Sequence, residues 1–408
     1  MPDSEISTAD VASPGTPTLR GTNQSGVRAH NERLLLSLLR RHGAMAKADI
    51  ARATGLSAQT VSNITRALEA EGMIERRDPV RGKVGQPLVP LQLAATGAYF
   101  FGLKIGRRST ELVLTDFLGR IKARTHLTYR YPDPEATVRF ARQSAAQLMG
   151  RLSPDEQSRI AGLGVAMPFR LWDWARKIGV DEDLMAAWRD IDIVQALAGD
   201  LDFPVYLEND ASAACNAELV YGGPGGSGDF VYFYIGYFIG GGLALNGRLF
   251  TGQSGNAAAL GSLPVPLAEG GTGQLIDVAS LARLEELLES DGTSAAALWQ
   301  PPATWSFDAA RVDRWLDDAA LAIAFAAIAT TAVVDVSEAR VDGWLPLDIR
   351  ARLVERTTAH IGEFNLSGLT PPQVHEGRVG PDARVLGATS LPLARRFLLE
   401  EGPFLTTV

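Results

Sequence analysis

Two short apolar stripes, separated by a glycine turn, occupy residues 46–72. After the turn, apolar residues recur at the three-to-four-residue spacing of one helix face: Val61, Ile64, Leu68 and Met73. Gly55 can adopt the left-handed backbone conformation that a sharp turn needs, and Ser57 is a good N-cap for the second helix. The pattern predicts two helices joined by a tight turn.

The flanking segments complete a small domain. Residues 31–42 predict a helix that comes before the pair and faces the core with leucines: Leu34, Leu35, Leu38 and Leu39. Residues 73–77 and 88–91 predict two strands on either side of a Gly- and Arg-rich loop. Three helices followed by a two-stranded ribbon predict a winged helix-turn-helix domain over residues 28–93, behind a disordered tail at residues 1–27.

The polar face of the second helix pairs short hydrogen-bonding side chains with one cation. Such side chains suit base edges in the major groove of DNA and phosphates beside it. An ordinary solvated helix face is the alternative, but the wing, whose cations and glycines fit a minor groove, favours DNA binding. The predicted DNA contacts are Ser57, Gln59, Thr60, Ser62, Asn63 and Arg66 in the helix, and Lys83 and Gln86 in the wing.

From residue 94 to residue 408 the pattern changes to a repeated α/β order. Each half opens with a three-stranded meander, at residues 99–129 and 230–251, and continues with helices, ending in a helix at 383–397. Residues 92–97 read as a linker, and a strand is expected at 333–341. The order predicts a two-lobed body with a cleft, the lobes covering residues 94–212 plus the C-terminal helix, and 213–380.

Charge is divided unevenly along the 408 residues. The net charge is −8, yet residues 28–93 hold eleven Lys or Arg against six Asp or Glu, which leaves −13 for the rest. A basic domain on an acidic body attracts phosphate locally. A single cysteine, Cys215, excludes an internal disulfide framework, and residues 319–334 fit a buried helix better than a membrane span. We expect a cytoplasmic protein without a membrane segment.

Three segments of the body carry a family resemblance: Glu208-Asn209-Asp210-Ala211, GYFIGGGLALNGRL at 236–249 and SGNAAALGSLPV at 254–265. With the N-terminal domain, they make the chain resemble the regulators of the ROK family, which groups repressors and sugar kinases. The resemblance implies an α/β fold of the actin-like, hexokinase-like (ribonuclease H-like) class. It also implies that Asp210 stands where the kinases have the general base, although helix capping by Asp210 is the alternative.

The resemblance fails at three places. The kinase loop D-x-G-x-T corresponds here to residues 104–108, KIGRR, which we interpret as a solvated hairpin turn although arginines could hold phosphate. Ala259 stands at the position of the family's sugar-binding Glu, and Ser262 stands at the position of its zinc-binding His. Zinc and other cofactors should therefore be absent, and Asn256 could replace the lost polar contact. An aromatic cluster near the cleft (Phe169, Trp172 and Trp174, with Arg170) could stack on a sugar or fill core.

The sequence therefore predicts a DNA-binding regulator, a repressor of carbohydrate genes, whose non-catalytic body senses a sugar or sugar derivative. Asn209, Asp210 and Asn256 are the predicted ligand contacts. Its partners would be a double-stranded operator and a second copy, in a homodimer or tetramer. The alternatives are an active sugar kinase with a DNA-binding head and a body that binds a partner protein.

Overall fold

The structure is a computed structural model that describes residues 24–399, apart from 80–87, 176–178, 200, 224–227, 268–269, 291, 301 and 303–304. Its N-terminal domain contains α1 (Gln24–His42), α2 (Lys47–Thr54), α3 (Ala58–Ala70), β1 (Ile74–Arg76) and β2 (Leu91–Leu93). Gly55 has φ 68° at the turn, and the Ser57 side chain accepts from the Thr60 N–H. The winged helix-turn-helix prediction is confirmed, because β1 and β2 pair antiparallel.

The boundaries of this domain differ from the prediction. Helix α1 begins at Gln24, before the predicted helix and inside the predicted tail, of which residues 1–23 lie outside the described residues. Leu36 is buried in place of Leu34, because the buried face follows Leu35, Leu36 and Leu39. The returning strand is Leu91–Leu93 rather than 88–91, because Leu91 and Leu93 both point into the core. The predicted linker at 92–97 therefore begins too early, because residues 92 and 93 belong to β2.

The first lobe is a five-stranded sheet in the order β5-β4-β3-β6-β7. The strands are β3 (Tyr99–Ile105), β4 (Ser109–Asp116), β5 (Ile121–Thr128), β6 (Ile160–Ala166) and β7 (Val205–Glu208). One face packs on α4 (Pro134–Met149), α6 (Glu182–Ala186) and α7 (Ile193–Ala198), and the short helix α5 (Pro154–Ser158) precedes β6 at the surface. The other face packs on the C-terminal helix α13 (Ala383–Phe397).

The second lobe has the same plan, with strand order β10-β9-β8-β13-β14. Its strands are β8 (Phe230–Ile235), β9 (Gly240–Leu245), β10 (Arg248–Leu249), β13 (Glu338–Gly343) and β14 (Gln373–Glu376). A small ribbon, β11 (Pro264–Pro266) with β12 (Thr272–Gln274), lies beside it. The helices are α8 (Asp210–Tyr221), α9 (Leu275–Ala279), α10 (Leu281–Glu289), α11 (Ala309–Val334) and α12 (Leu347–Ile361).

Several elements of the second lobe correct the prediction. Helix α11 runs on to Val334, so the predicted strand at 333–341 begins only at Glu338. Strand β14 and the break between α9 and α10 were not predicted. Ser280 makes that break, because its Oγ donates to the Ile276 carbonyl and accepts from the Ile239 N–H. The predicted lobe boundary at 212/213 falls inside α8.

Helix α11 is the centre of the second core. It is the one helix within the described residues that is long and apolar enough to cross a membrane by length and composition. Its face from Trp315 to Ala327 is buried against β8, β13 and the surrounding helices. This burial accounts for its apolar composition, as the sequence pattern indicated.

Candidate functional site

A cavity of about 490 Å³ opens between the two lobes. Its walls are the loop after β6, the N-terminus of α8, the β8–β9 turn, residues 254–262 and the N-terminus of α13. This volume is in the range of small-molecule sites. The cavity brings together the three predicted ligand residues: Asn209, Asp210 and Asn256.

The N-terminus of α8 separates the roles of two neighbouring polar residues. Asn209 is the N-cap, since its Oδ1 accepts from the N–H groups of Ala211 and Ser212. The alternative role considered for Asp210, helix capping, therefore belongs to Asn209. Asp210 instead accepts from Nη1 of Arg384 at 3.3 Å. Its carboxylate is thus held at the cavity wall by an ion pair to α13.

The segment from 254 to 262 forms another wall. Asn256 is exposed and lines the cavity, as do Ala259 and Ser262. Ala258 has φ 54°, a left-handed conformation that is uncommon for alanine. Across the part of the chain that the structure describes, no three His, Cys, Asp or Glu side chains cluster as metal ligands would.

The β3–β4 turn is the predicted solvated hairpin only in part, because Arg108 is exposed whereas Arg107 packs on rings. The Arg107 guanidinium lies over the Phe238 ring at 4.4 Å and over the Trp174 ring at 5.2 Å. Its Nε is buried and has no hydrogen-bond acceptor among the described residues. Burial lowers the pKa of Arg107 to about 10. The prediction was wrong for Arg107, because the aromatic rings that hold this cation come from two distant loops.

The neighbouring Arg108 bridges the two lobes. Its guanidinium lies 5.2 Å from the Tyr237 ring centroid, and Nη2 is 3.9 Å from the Glu285 carboxylate. Tyr237 in turn packs on Trp299, with ring centroids 5.3 Å apart. The β3–β4 and β8–β9 turns are therefore joined by stacked cations and rings.

A second arginine and a lysine add positive charge beside Asp210. The Arg384 guanidinium lies 4.8 Å from the Tyr234 ring centroid, and its buried Nε has no acceptor within the described chain. Burial opposes its charge, but Tyr234 and Asp210 outweigh burial, so the pKa of Arg384 is raised. Burial and then Arg384 lower the pKa of Lys104 to about 7. Sequence reasoning missed Arg384, which carries no local signal at the start of the last helix.

The predicted aromatic cluster divides between the two roles left open for it. Phe169 and Trp174 line the cavity, together with Arg170. Trp172 packs against the first-lobe core instead. Only part of the cluster can therefore contact a ligand.

The predicted DNA-contacting face of α3 is largely accessible to solvent. Gln59, Asn63 and Arg66 are exposed, and Thr60 and Ser62 are half-buried. Gln59 Nε2 donates to Asn63 Oδ1 at 3.1 Å, which keeps two predicted base readers together. Lys83 and Gln86 lie outside the described residues. All of these contacts remain predictions.

Two parallel helices connect the cavity with the N-terminal domain. Asp210 of α8 contacts Arg384 of α13, and Asn216 Nδ2 donates to Ser390 Oγ at 2.7 Å, each pair 174 residues apart. Because the offset is constant, the two helices run in the same direction, and both of their N-termini lie at the cavity. At the other end, Leu399, just beyond α13, donates its N–H to Ser37 of α1 at 2.9 Å.

The contact between these helices and α1 is largely apolar. Phe397 of α13 packs in one cluster with Leu35, Leu36 and Leu39 of α1. Arg40 of α1 donates to the Phe117 carbonyl and lies 5.7 Å from the ring centroid of Tyr221, the last residue of α8. Both helices thus run from the cleft to the N-terminal domain.

The fold and the cleft define a class of protein: an actin-like two-lobed body behind a winged helix. The ROK family model matches residues 100–274, and the MarR family model matches residues 28–83. The body is therefore similar to the ROK family, and the N-terminal domain is similar to the MarR family.

Relatives and solved structures show the same similarity. An uncharacterized protein of Sinorhizobium fredii is 28% identical over 371 residues, covering 90% of this chain and 91% of its own. The xylose repressor of Bacillus subtilis is 26% identical over 243 residues, 60% of this chain and 62% of the repressor. A solved ROK transcriptional regulator, a homologue of the Escherichia coli MLC protein, has TM-score 0.62 at 18% identity and covers 90% of this chain and 96% of its own. Solved ROK kinases share the body fold as well.

Proposed function

We propose that this protein is a DNA-binding transcriptional repressor of carbohydrate metabolism or transport genes, controlled by a sugar or sugar derivative in the cleft. The observation that carries the proposal is the parallel pair α8–α13, which meets the cleft at one end and α1 at the other. Similarity to a xylose repressor supports the sugar class. We place the protein in the cytoplasm, as a homodimer or tetramer on paired half-sites.

The proposed control is a shift between two lobe arrangements. A ligand changes DNA affinity only to the extent that it binds one arrangement better than the other. Asp210 lies on α8 and Arg384 on α13, so a ligand that contacts both acts on both helices at once. The C-terminal ends of the same helices contact α1, so movement of the pair reorients the winged helix.

We propose that the body does not catalyse phosphoryl transfer. A kinase must bring a metal–nucleotide complex close to the backbone of its phosphate loops. Here Arg107 and Arg108 join the β3–β4 and β8–β9 turns by stacking on Phe238 and Tyr237. Asp210, which supports the kinase alternative, is held by Arg384. Sugar-dependent ATP turnover that disappears in Asp210→Asn would restore that alternative.

DNA reading is tested first. The purified full chain would be used to select bound DNA duplexes from a random library. Its affinity for the most tightly bound duplex would then be measured over a salt series. Arg66→Ala should weaken binding and reduce the salt slope by about one, as expected for a lost phosphate contact. Arg151→Ala, at an exposed position in the body, is the matched control. Unchanged affinity of Arg66→Ala at every salt concentration would remove Arg66 from the interface.

Sensing is tested on the same protein by thermal shift against sugars, sugar acids and sugar phosphates. A ligand that binds only the folded state stabilises it by about 2.7 kcal/mol at 100 times its Kd. Asp210→Asn should abolish a hit, whereas Asp190→Asn, on the surface of the first lobe, should not. A folded, DNA-binding protein that responds to no small molecule would favour a partner protein as the effector.

A further inference from the structure

The cavity walls carry more guanidinium groups than carboxylates. The charged lining residues are Arg107, Arg170, Asp173, Asp210 and Arg384. Arg170 pairs with Asp173 at 2.6 Å on the exposed rim, and Arg384 pairs with Asp210 at 3.3 Å. Arg107 has no ion pair within the described residues and contacts two rings instead. One positive charge in the wall is therefore not balanced by the lining.

The rings fix the position of this charge. Phe238 and Trp174 hold the Arg107 guanidinium by its faces, so its N–H groups at the edges remain available. Its Nε is already buried without an acceptor in the described structure. A buried charged donor without an acceptor is unfavourable, and an anion is the partner that satisfies it best.

The surroundings of Asp210 also favour an anion. Arg384 offers a second buried Nε without an acceptor among the described groups, and Asp210 engages only its Nη1 in the ion pair. Lys104 lies close enough for Arg384 to oppose its protonation. Glu111, Asp210 and Asp382 favour its protonation. Arg384 is thus a second guanidinium with an unsatisfied donor beside Asp210.

We propose that the cleft binds a sugar derivative that carries a carboxylate or a phosphate, rather than a neutral sugar. Arg107 and Arg384 bind the anionic group, and Asp210 and Asn256 bind the hydroxyls. This inference rests on the proposed function, because it assumes that the cleft is the sensing site. A guanidinium matches carboxylate and phosphate oxygens with two parallel N–H donors, so it selects these groups over a hydroxyl.

The test uses the full chain and matched ligand sets in a thermal-shift assay. The sets are glucose with glucuronate and glucose 6-phosphate, galactose with galacturonate and galactose 6-phosphate, and N-acetylglucosamine with its 6-phosphate. Inorganic phosphate alone is the reference for non-specific anion binding. In at least one set, an anionic member should raise the melting temperature at a concentration where the neutral member does not. The acid and phosphate arms identify which anion the site takes.

Variants then locate the anion. Arg107→Gln should weaken binding of the anionic ligand by roughly 10- to 100-fold, the range of one charge-assisted hydrogen bond. Arg384→Gln should do the same. Arg130→Gln, an exposed arginine just after β5, is the matched control. Isothermal titration at two ionic strengths supplies the affinities, which should fall with salt for the wild type.

The outcomes separate this inference from the proposed function. A neutral sugar that binds as tightly as its anionic partners overturns the inference and leaves sensing intact. An anionic hit that survives both Arg→Gln variants overturns it too, as does a shift with inorganic phosphate that equals the best sugar derivative. A protein that still binds DNA but responds to no member of any set overturns both the inference and the proposed sensing role.

Discussion

The two ends of the α8–α13 pair make different kinds of contact. At the cleft end, the contact between the helices is an ion pair at 3.3 Å, and the Arg384 Nε beside it lacks a described acceptor. At the end near α1, the Phe397 ring packs edge-on against Phe117 and Phe100, with centroids 5.0 and 5.9 Å away. The cleft end is held mainly by an ion pair, whereas the α1 end is held mainly by packed rings, beside the Arg40 guanidinium, whose Nε also lacks a described acceptor.

This difference suits a sensor. Polar groups that lack partners can exchange water for a ligand, so the cleft end can change state at small energetic cost. Close-packed apolar contacts do not deform continuously, so the other end moves as a block with α1. We make three predictions, which begin at the apolar end of the α8–α13 pair and finish at its polar end. The expected effect decreases in the same order.

The largest effect should come from Phe397→Ala, which breaks the apolar end. Phe397 is 7% exposed and contacts rings from two body segments as well as the α1 cluster. Truncation of a buried phenylalanine destabilises a protein by about 3–5 kcal/mol. Urea unfolding of the full chain measures the loss, and operator affinity with and without ligand measures the coupling. We expect both stability and ligand control of DNA binding to fall.

The control for this prediction is Val333→Ala, which removes an apolar side chain that is 83% exposed. This variant should change neither the free energy of unfolding nor the control of DNA binding by ligand. A Phe397→Ala protein that is less stable but still fully controlled by ligand would show that coupling takes another route.

An intermediate effect should come from Gly387→Ala, in the middle of the pair. A Cβ at Gly387 would lie 1.9 Å from the Ala213 carbonyl oxygen of α8, so the helices would have to separate. Overpacking of this kind destabilises by about 1–3 kcal/mol. Gly199→Ala, where a Cβ meets open space, is the matched control and should be neutral or stabilising in the same urea titration. Equal behaviour of the two variants would mean that the helices are not in tight contact.

Local pattern was sufficient to predict both helices of this pair. The limits of α8 and α13 were predicted as they are observed, and the helix pair α2–α3 follows from a glycine turn and a serine cap. The cavity itself also followed from the family resemblance, which placed Asn209 and Asp210 together. These features depend on residues that are near one another in the chain.

The chemistry of the cavity could not be predicted in the same way. The β3–β4 turn looked solvated because Arg107 has polar, flexible neighbours in sequence, whereas its partners Trp174 and Phe238 come from segments far along the chain. Arg384 stands 174 residues from Asp210, and no periodicity links the two. Partners brought together only by packing of the two lobes leave no signal in a local window.

The smallest effect concerns charge at the cleft end. Burial and Arg384 lower the pKa of Lys104 to about 7, against about 10.4 in an unfolded chain. Below pH 7 both states carry the proton, and the folded protein bears the full penalty of a buried charge. Between pH 7 and about 10 the unfolded chain binds more protons, so stability rises with pH. Lys104→Met lacks this group, so its stability advantage over the wild type should be largest below pH 7.

That advantage should shrink by roughly 1 kcal/mol between pH 6 and pH 8, read from paired urea titrations. Lys122→Met, at an exposed position on β5, should show a constant difference over the same range. A constant difference for Lys104→Met as well would mean that Lys104 titrates normally, and the cleft end would then not be electrostatically strained. An anionic ligand in the cavity should stabilise the charged lysine, so at saturation the pH dependence should flatten in the wild type alone.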